Sequence, residues 1–305
     1  MTNFQIRNDS DLPNRTANFN FFSSPVCIGL LTALGIEAVA IVTLNALAII
    51  VFLKERRLRK RSLYLTISLA VADMLNAWTL IFWILSLGND CNIFVFDPVK
   101  IAGASPVYFP AVSTINLTAI SLERVHATFH PFKHRLVKKK VFGAAVAAVW
   151  FTAALFTVII LEGDSAGAGA YFLFLLCCPF IILLSYTSIA IKLYCGTHPQ
   201  HHGAISGERK LTKSLFIVTV ISLSLLLPGL ITLVFGHFSS WENDKNSHQT
   251  RWLLGYSLVF LFCANFFINP LLYAFKMPEF KRALLLLLRC RFRSETVQVF
   301  RLSDI

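Results

Sequence analysis

The chain has 305 residues, 56% of them hydrophobic and only 14% charged, where an ordinary soluble domain carries roughly a quarter charged residues. A mean hydropathy of +0.65 also excludes a disordered chain, which stays unfolded for want of apolar surface to bury. The net charge of +12 would suit a nucleic-acid binder, but the basic residues lie in short clusters between long apolar runs. They therefore imply a lipid bilayer as partner and no nucleic acid.

Residues 1–25 are polar and lack a basic stretch followed by an apolar core, so no cleaved signal peptide is expected. This tail carries two glycosylation acceptors, Asn8-Asp9-Ser10 and Asn14-Arg15-Thr16. Seven runs then reach the roughly 20 mostly apolar residues that a helix needs to cross a bilayer. They are 26–53, 62–88, 98–122, 141–161, 170–194, 211–236 and 252–275. After the seventh, residues 276–293 open with Pro278 and continue through Phe280, Lys281, Arg282 and a leucine run, which reads as an amphipathic helix on the membrane surface. Residues 294–305 remain as a tail. The expected fold is an all-α membrane protein: a seven-transmembrane helix bundle (26–275) followed by a short amphipathic cytoplasmic eighth helix.

Orientation follows from the basic residues, because loops rich in them stay cytoplasmic. All but five of the 28 Lys and Arg fall on one face of this topology; Arg7, Arg15, Lys100, Lys245 and Arg251 are the exceptions. The amino terminus is thus expected outside the plasma membrane and the tail inside. Seven cysteines show no zinc spacing and no readable disulfide framework; whether Cys27 and Cys91 pair stays open.

A polar or charged group in the middle of a membrane helix is costly, so those present are candidates for function. Asp73 lies midway along the second run, Asn45 in the first and Ser113 in the third. In the seventh, Asn265, Asn269 and Tyr273 are spaced four apart on one face. A carboxylate ringed by amides and a hydroxyl is either a neutral hydrogen-bonded acid, a small-cation site or polar glue between helices. At the inner end of the third run stand Glu123 and Arg124. Glu208, before the sixth run, is placed to pair with Arg124 and tie two helix ends in one state; the alternative is two independent membrane-flanking charges.

These residues resemble the rhodopsin-like (class A) G-protein-coupled receptors over about 26–293. The resemblance rests on Asn45, on LAVAD ending at Asp73, and on ERV at 123–125 with Pro131 beyond it. It continues with Trp150, Pro179, Pro228, and NPLLY at 269–273 followed by Phe280. It implies that Asp73, Ser113, Asn265 and Asn269 form a sodium pocket favouring the inactive state, with no other cofactor. It further implies that Arg124 and Glu208 form an ionic lock, that Tyr273 swings inward on activation, and that Arg124 then meets a heterotrimeric G protein. Several residues depart from the family. Leu226 and Ser222 replace the aromatic switch of the sixth helix, and Tyr186 is one residue short of its usual place, which Thr187 occupies. Val99 stands where the family's disulfide begins, and the second outer loop, about 162–169, has no cysteine.

The ligand is extracellular and of unknown class. Pro106 replaces the aspartate of biogenic-amine receptors and Cys263 the lysine that holds retinal, which argues against both ligands. Glu37, about 12 Å outward of Asn45 on the same helix, is a candidate ligand contact or else reaches water. Pro106, Pro110 and Val259 are the other ligand-side candidates, with the two prolines expected to distort the third helix. Cys290 is a candidate for palmitoylation, and Ser294, Thr296 and Ser303 offer phosphorylation sites for arrestin.

The chain is expected not to be an enzyme. The rival is a membrane di-iron oxygenase or desaturase built on His126-x-x-x-His130 and His198-x-x-His201-His202, but the third histidine box that such enzymes need is missing. A transporter would show two related halves, and no such repeat is visible.

Overall fold

The computed structural model describes residues 24–55, 63–93, 95–162, 165–195, 224–225, 245–276 and 280–287. Among the described residues all regular structure is helical. The elements are α1 (Ser24–Lys54), α2 (Leu63–Asp90), α3 (Pro98–Ala102), α4 (Ser105–Phe129), α5 (Pro131–Leu136), α6 (Lys139–Leu161), α7 (Ser165–Cys195) and α8 (Lys245–Lys276). A last helix, α9, covers 280–287. Among the described residues five helices (α1, α2, α6, α7 and α8) are long and apolar enough to cross a membrane. They present large apolar side chains outward, such as Val39 on α1 (67% exposed) and Phe151 on α6 (72% exposed). In water such faces would drive association; against lipid they are at home. The chain is a multi-pass membrane protein.

The third crossing, α4, carries many polar side chains, and its position explains how they are accommodated. It packs on α2, α6 and α7, and these shield it from lipid. It buries Ser113, Thr114, Asn116, Thr118 and Ser121, and the hydroxyls of Thr114, Thr118 and Ser121 bond to carbonyls three or four residues back.

The structure corrects the third run. Residues 98–122 are not one helix: α3 ends at Gly103, whose φ of 55° is open to glycine at little steric cost, and α4 starts only at Ser105. Asp97 caps α3 by accepting from the amides of Val99 and Lys100, and Pro98 at its first turn supplies a preset φ. Pro106 likewise sits in the first turn of α4, where a missing N–H costs no helical bond. The distortion expected from a pair of prolines therefore reduces to Pro110 alone. At its other end α4 runs on to Phe129 and stops at His130, before Pro131, which disfavours helical φ/ψ in the preceding residue.

The second outer connection is also shorter than read from sequence, since α6 ends at Leu161 and α7 begins at Ser165. Residues 280–287, within the stretch read as a surface helix, are helical: Phe280 is buried against Phe52 with ring centroids 5.1 Å apart, beside Ala48 and Val51 of α1. Lys281 and Arg282 are exposed. The sixth run lies outside the described residues apart from 224–225, as do the termini.

Candidate functional site

Three places in the bundle hold the residues singled out by the sequence. The first is mid-membrane. Asp73 on α2 is wholly buried. One of its oxygens accepts from the Ser113 hydroxyl of α4 and the other from the Asn269 amide of α8 at 2.9 Å. One carboxylate thus joins three crossings. The side-chain oxygens of Asn269, of Asn265 one turn before it on α8 and of Asn45 on α1 are also buried with no hydrogen-bond partner among the described residues. Carboxylate, hydroxyl and amide oxygens are the donors a hard cation prefers, so the set fits a small ion or an ordered water. Asn45 contributes structurally: its amide bonds to Ile41 O at 3.0 Å and across to Phe266 O at 2.9 Å, tying α1 to α8. Trp150 does the same between α6 and α2 through Ser68, at 3.0 Å.

The second place is the carboxy-terminal end of α4. Arg124 is ion-paired with Glu123, its own neighbour on α4. The other Glu123 oxygen lies 2.7 Å from His134 Nε2 on α5. This partner was missed in the sequence, where the eleven-residue spacing between Glu123 and His134 carries no helical signal because α4 ends between them. Glu208 lies outside the described residues, as does the side chain of Tyr273. Tyr186 is buried with Ile182 and Ile189, against Leu117 and Val125 of α4, whereas Thr187 is exposed.

The third place is on α1, eight residues before Asn45. Glu37 is only 3% exposed, so it does not reach water as one reading allowed. Its two oxygens have no hydrogen-bond partner among the described residues. It sits on the buried face of α1 between Leu34 and Ile41, which pack with Leu80 and Leu87 of α2 and with Tyr256 and Cys263 of α8; Val259 is half-buried in the same cluster. Cys263 is near enough to interact with it electrostatically. Pro110 is buried and Pro106 half-buried on α4, whose outer end meets α2 and α7 rather than α1. The four ligand-side candidates therefore divide between two seams of the bundle.

Cys27 and Cys91 are joined by a disulfide, which ties the start of α1 to the end of α2. The start of α4 is held differently, by hydrogen bonds from Thr79 to Ser105 O at 3.0 Å, from Ser105 to Trp78 O at 3.5 Å and from Tyr171 to Val107 O at 2.9 Å. At the exposed start of α3, the Lys100 backbone amide holds Asp97 below the ordinary carboxylate range, aided by the nearby Lys100 ammonium.

His126 and His130 do stack at the inner end of α4, with ring centroids 5.8 Å apart. Among the described residues no three His, Cys, Asp or Glu side chains converge to hold a metal ion. His198, His201 and His202 lie outside the described residues, as do Asn8, Asn14 and Cys290.

A family model described as the seven-transmembrane receptors of the rhodopsin family matches residues 44–168. The chain is 24% identical to the substance-K receptor of Mesocricetus auratus, over 92% of this chain and 81% of that receptor. It is 24% identical to melanocortin receptor 5 of Homo sapiens, over 81% of this chain and 80% of that one. A shorter stretch, 38% of the chain, is 34% identical to 10% of the octopamine receptor beta-3R of Drosophila melanogaster.

Proposed function

Because the chain belongs to the rhodopsin-like (class A) family of G-protein-coupled receptors, a seven-helix receptor that passes extracellular binding to a heterotrimeric G protein, we propose how its own residues carry that signal. The observation that carries the reading is the sharing of Asp73 among α2, α4 and α8. A bond network that holds three crossings in one arrangement must be repacked for them to move. Asp73, Ser113, Asn265 and Asn269 would hold a sodium ion there, and its charge would favour the resting arrangement. A ligand that binds the opened bundle more tightly shifts the population toward it, and the G protein does the same from inside, reciprocally.

On this reading the amino terminus is extracellular and glycosylated at Asn8 and Asn14, while the cytoplasmic tail carries a palmitoyl group on Cys290 and phosphorylation sites for arrestin. Arg124 is the residue that meets the G protein. Glu123 restrains it at rest, with Glu208, before the sixth run, as a further partner, and Tyr273 and Tyr186 move toward it on activation. The ligand enters between the outer ends. Glu37 and Val259 lie in one seam and Pro106 and Pro110 in the other, so a ligand touching all four must bridge α1, α4 and α8. An unpartnered buried carboxylate is costly, and a ligand donor that met Glu37 would recover that cost. The relatives named above take different ligands by their names, so they support the receptor class and leave the ligand open.

The test is nucleotide exchange on purified G proteins by the receptor in lipid nanodiscs, without and with a broad ligand library. Arg124→Ala is expected to abolish exchange without affecting insertion, Glu208→Ala to raise basal exchange, and Glu37→Gln to weaken the potency of any agonist found. Full exchange by Arg124→Ala would end the assignment of that residue, and unchanged potency in Glu37→Gln at normal surface expression would end that of the ligand contact.

A further inference from the structure

Glu123 faces two basic side chains at once, and the two differ in kind. Arg124 keeps its charge at every physiological pH, whereas imidazole changes charge between about pH 5 and pH 8. The Glu123 side chain is 8% exposed, but Arg124 and His134 are 23% and 21% exposed. The carboxylate is therefore sunk in the rim while both of its partners touch solvent.

His134 is held in place from three sides. Its amide bonds to His130 O at 2.9 Å, and its ring meets Phe142 of α6 edge-on at 6.2 Å and His126 of α4 at 5.6 Å. The charged and titratable groups around it are Glu123, Arg124, His126 and His130 on α4, Lys133 and Arg135 on α5, and exposed Lys138, Lys139 and Lys140 around the start of α6. From α7, Lys192 is turned onto Thr128 O at 2.7 Å and the Phe129 ring at 4.4 Å. A proton added to His134 thus enters a basic neighbourhood with Glu123 as the acid in contact.

We propose that His134 is a positioning residue for Arg124 and makes G-protein coupling sensitive to cytosolic protons. Neutral His134 donates one hydrogen bond and leaves the carboxylate's charge to Arg124. Protonated His134 claims that charge and repels the guanidinium, so Arg124 is released and basal coupling rises as pH falls. The inference rests on Arg124 as the coupling residue.

The experiment is basal nucleotide exchange by the receptor in nanodiscs at pH 6.0 and 7.5, with the receptor-free rate subtracted at each pH. The wild type should exchange about threefold or more faster at pH 6.0, across the range in which imidazole titrates. His134→Gln and His134→Tyr each keep a hydrogen-bond donor for Glu123 without a charge change in this range, and both should be flat; His126→Gln should respond like the wild type. A flat or falling wild-type profile, or a rise retained by both His134 variants, would overturn the proposal. Arg124→Ala separates the two readings. If it couples as well as the wild type, the coupling assignment has failed; if it is silent while the His134 variants keep the pH response, only the proton sensor has failed.

Discussion

The Cys27–Cys91 bond offers a quantitative test of how the outer face is held. It closes a loop with a sequence separation of 64, which by the chain-entropy relation is worth about 4 kcal/mol in a chain that unfolds freely. A membrane chain does not unfold freely: α1 and α2 stay inserted when their packing is lost, so part of that confinement is already present in the reference state. About half, roughly 2 kcal/mol, is left for the bond. At about 2–4 °C per kcal/mol, the double variant Cys27→Ala/Cys91→Ala should unfold roughly 4–8 °C lower than the wild type. Thermal unfolding of the receptor in nanodiscs measures this directly. Each single variant should lose as much as the double, because there is one bond to lose, and a reductant should lower the wild type to the same temperature while leaving the double variant unmoved. A shift under about 1 °C, or a reductant effect that survives in the double variant, would refute the reasoning.

Three further outcomes follow from the same geometry. Asp73→Asn keeps groups able to bond with Ser113 and Asn269 but removes the charge, so the rise in unfolding temperature when sodium chloride replaces choline chloride should be present in the wild type and absent in the variant. Asn45→Ala strips Phe266 O of its side-chain donor and should cost about 1–2 kcal/mol; a thermal unfolding curve superimposable on the wild type would contradict it. Asp97 is held below its ordinary titration range, so its cap on α3 is present above the unfolded-state value and is lost as pH falls through the folded-state one. Asp97→Ala should therefore speed hydrogen exchange at the Val99 and Lys100 amides at neutral pH, and equal protection would rule the cap out.

What the sequence made legible was whatever depends on local pattern. The apolar runs gave α1, α2, α6, α7 and α8 to within a few residues, except where α7 starts five residues early and α8 seven. The isolated polar residues gave the Asp73 cluster, because a carboxylate in lipid has few explanations. The break at Gly103 was hidden because the apolar side chains continue across it; only the backbone reveals that Asp97 and Pro98 start a separate short helix. The disulfide was open because pairing depends on the separation of two helix ends. Burial settled two choices that spacing could not. Tyr186 faces α4 although it misses the family's position by one residue, and Glu37 is enclosed by Leu34, Ile41 and the cluster on α2 and α8 although eight residues from Asn45 would also have allowed it to reach outward.

The placement of constraints bears on which elements move. The covalent tie joins α1 to α2, whereas α4 is held at its outer end by three hydrogen bonds, each worth about 1 kcal/mol. Moving a two-state equilibrium from one extreme to the other takes about 5.5 kcal/mol of differential binding, and a ligand of micromolar affinity has about 8 kcal/mol in all. Ties of this strength are within a ligand's reach; a disulfide is not. The outer movement should therefore run between α4 and α7 while α1 and α2 stay fixed. Tyr171→Phe isolates one of these ties, since it removes only the hydroxyl that bonds Val107 O at 2.9 Å and keeps the ring packed with Val107, Phe174 and their neighbours. If that bond belongs to the resting arrangement, its loss of about 1 kcal/mol should raise basal nucleotide exchange about fivefold. Thermal stability falling with no rise in exchange would mean that the bond persists in both arrangements, and the hinge would then have to lie elsewhere than between α4 and α7.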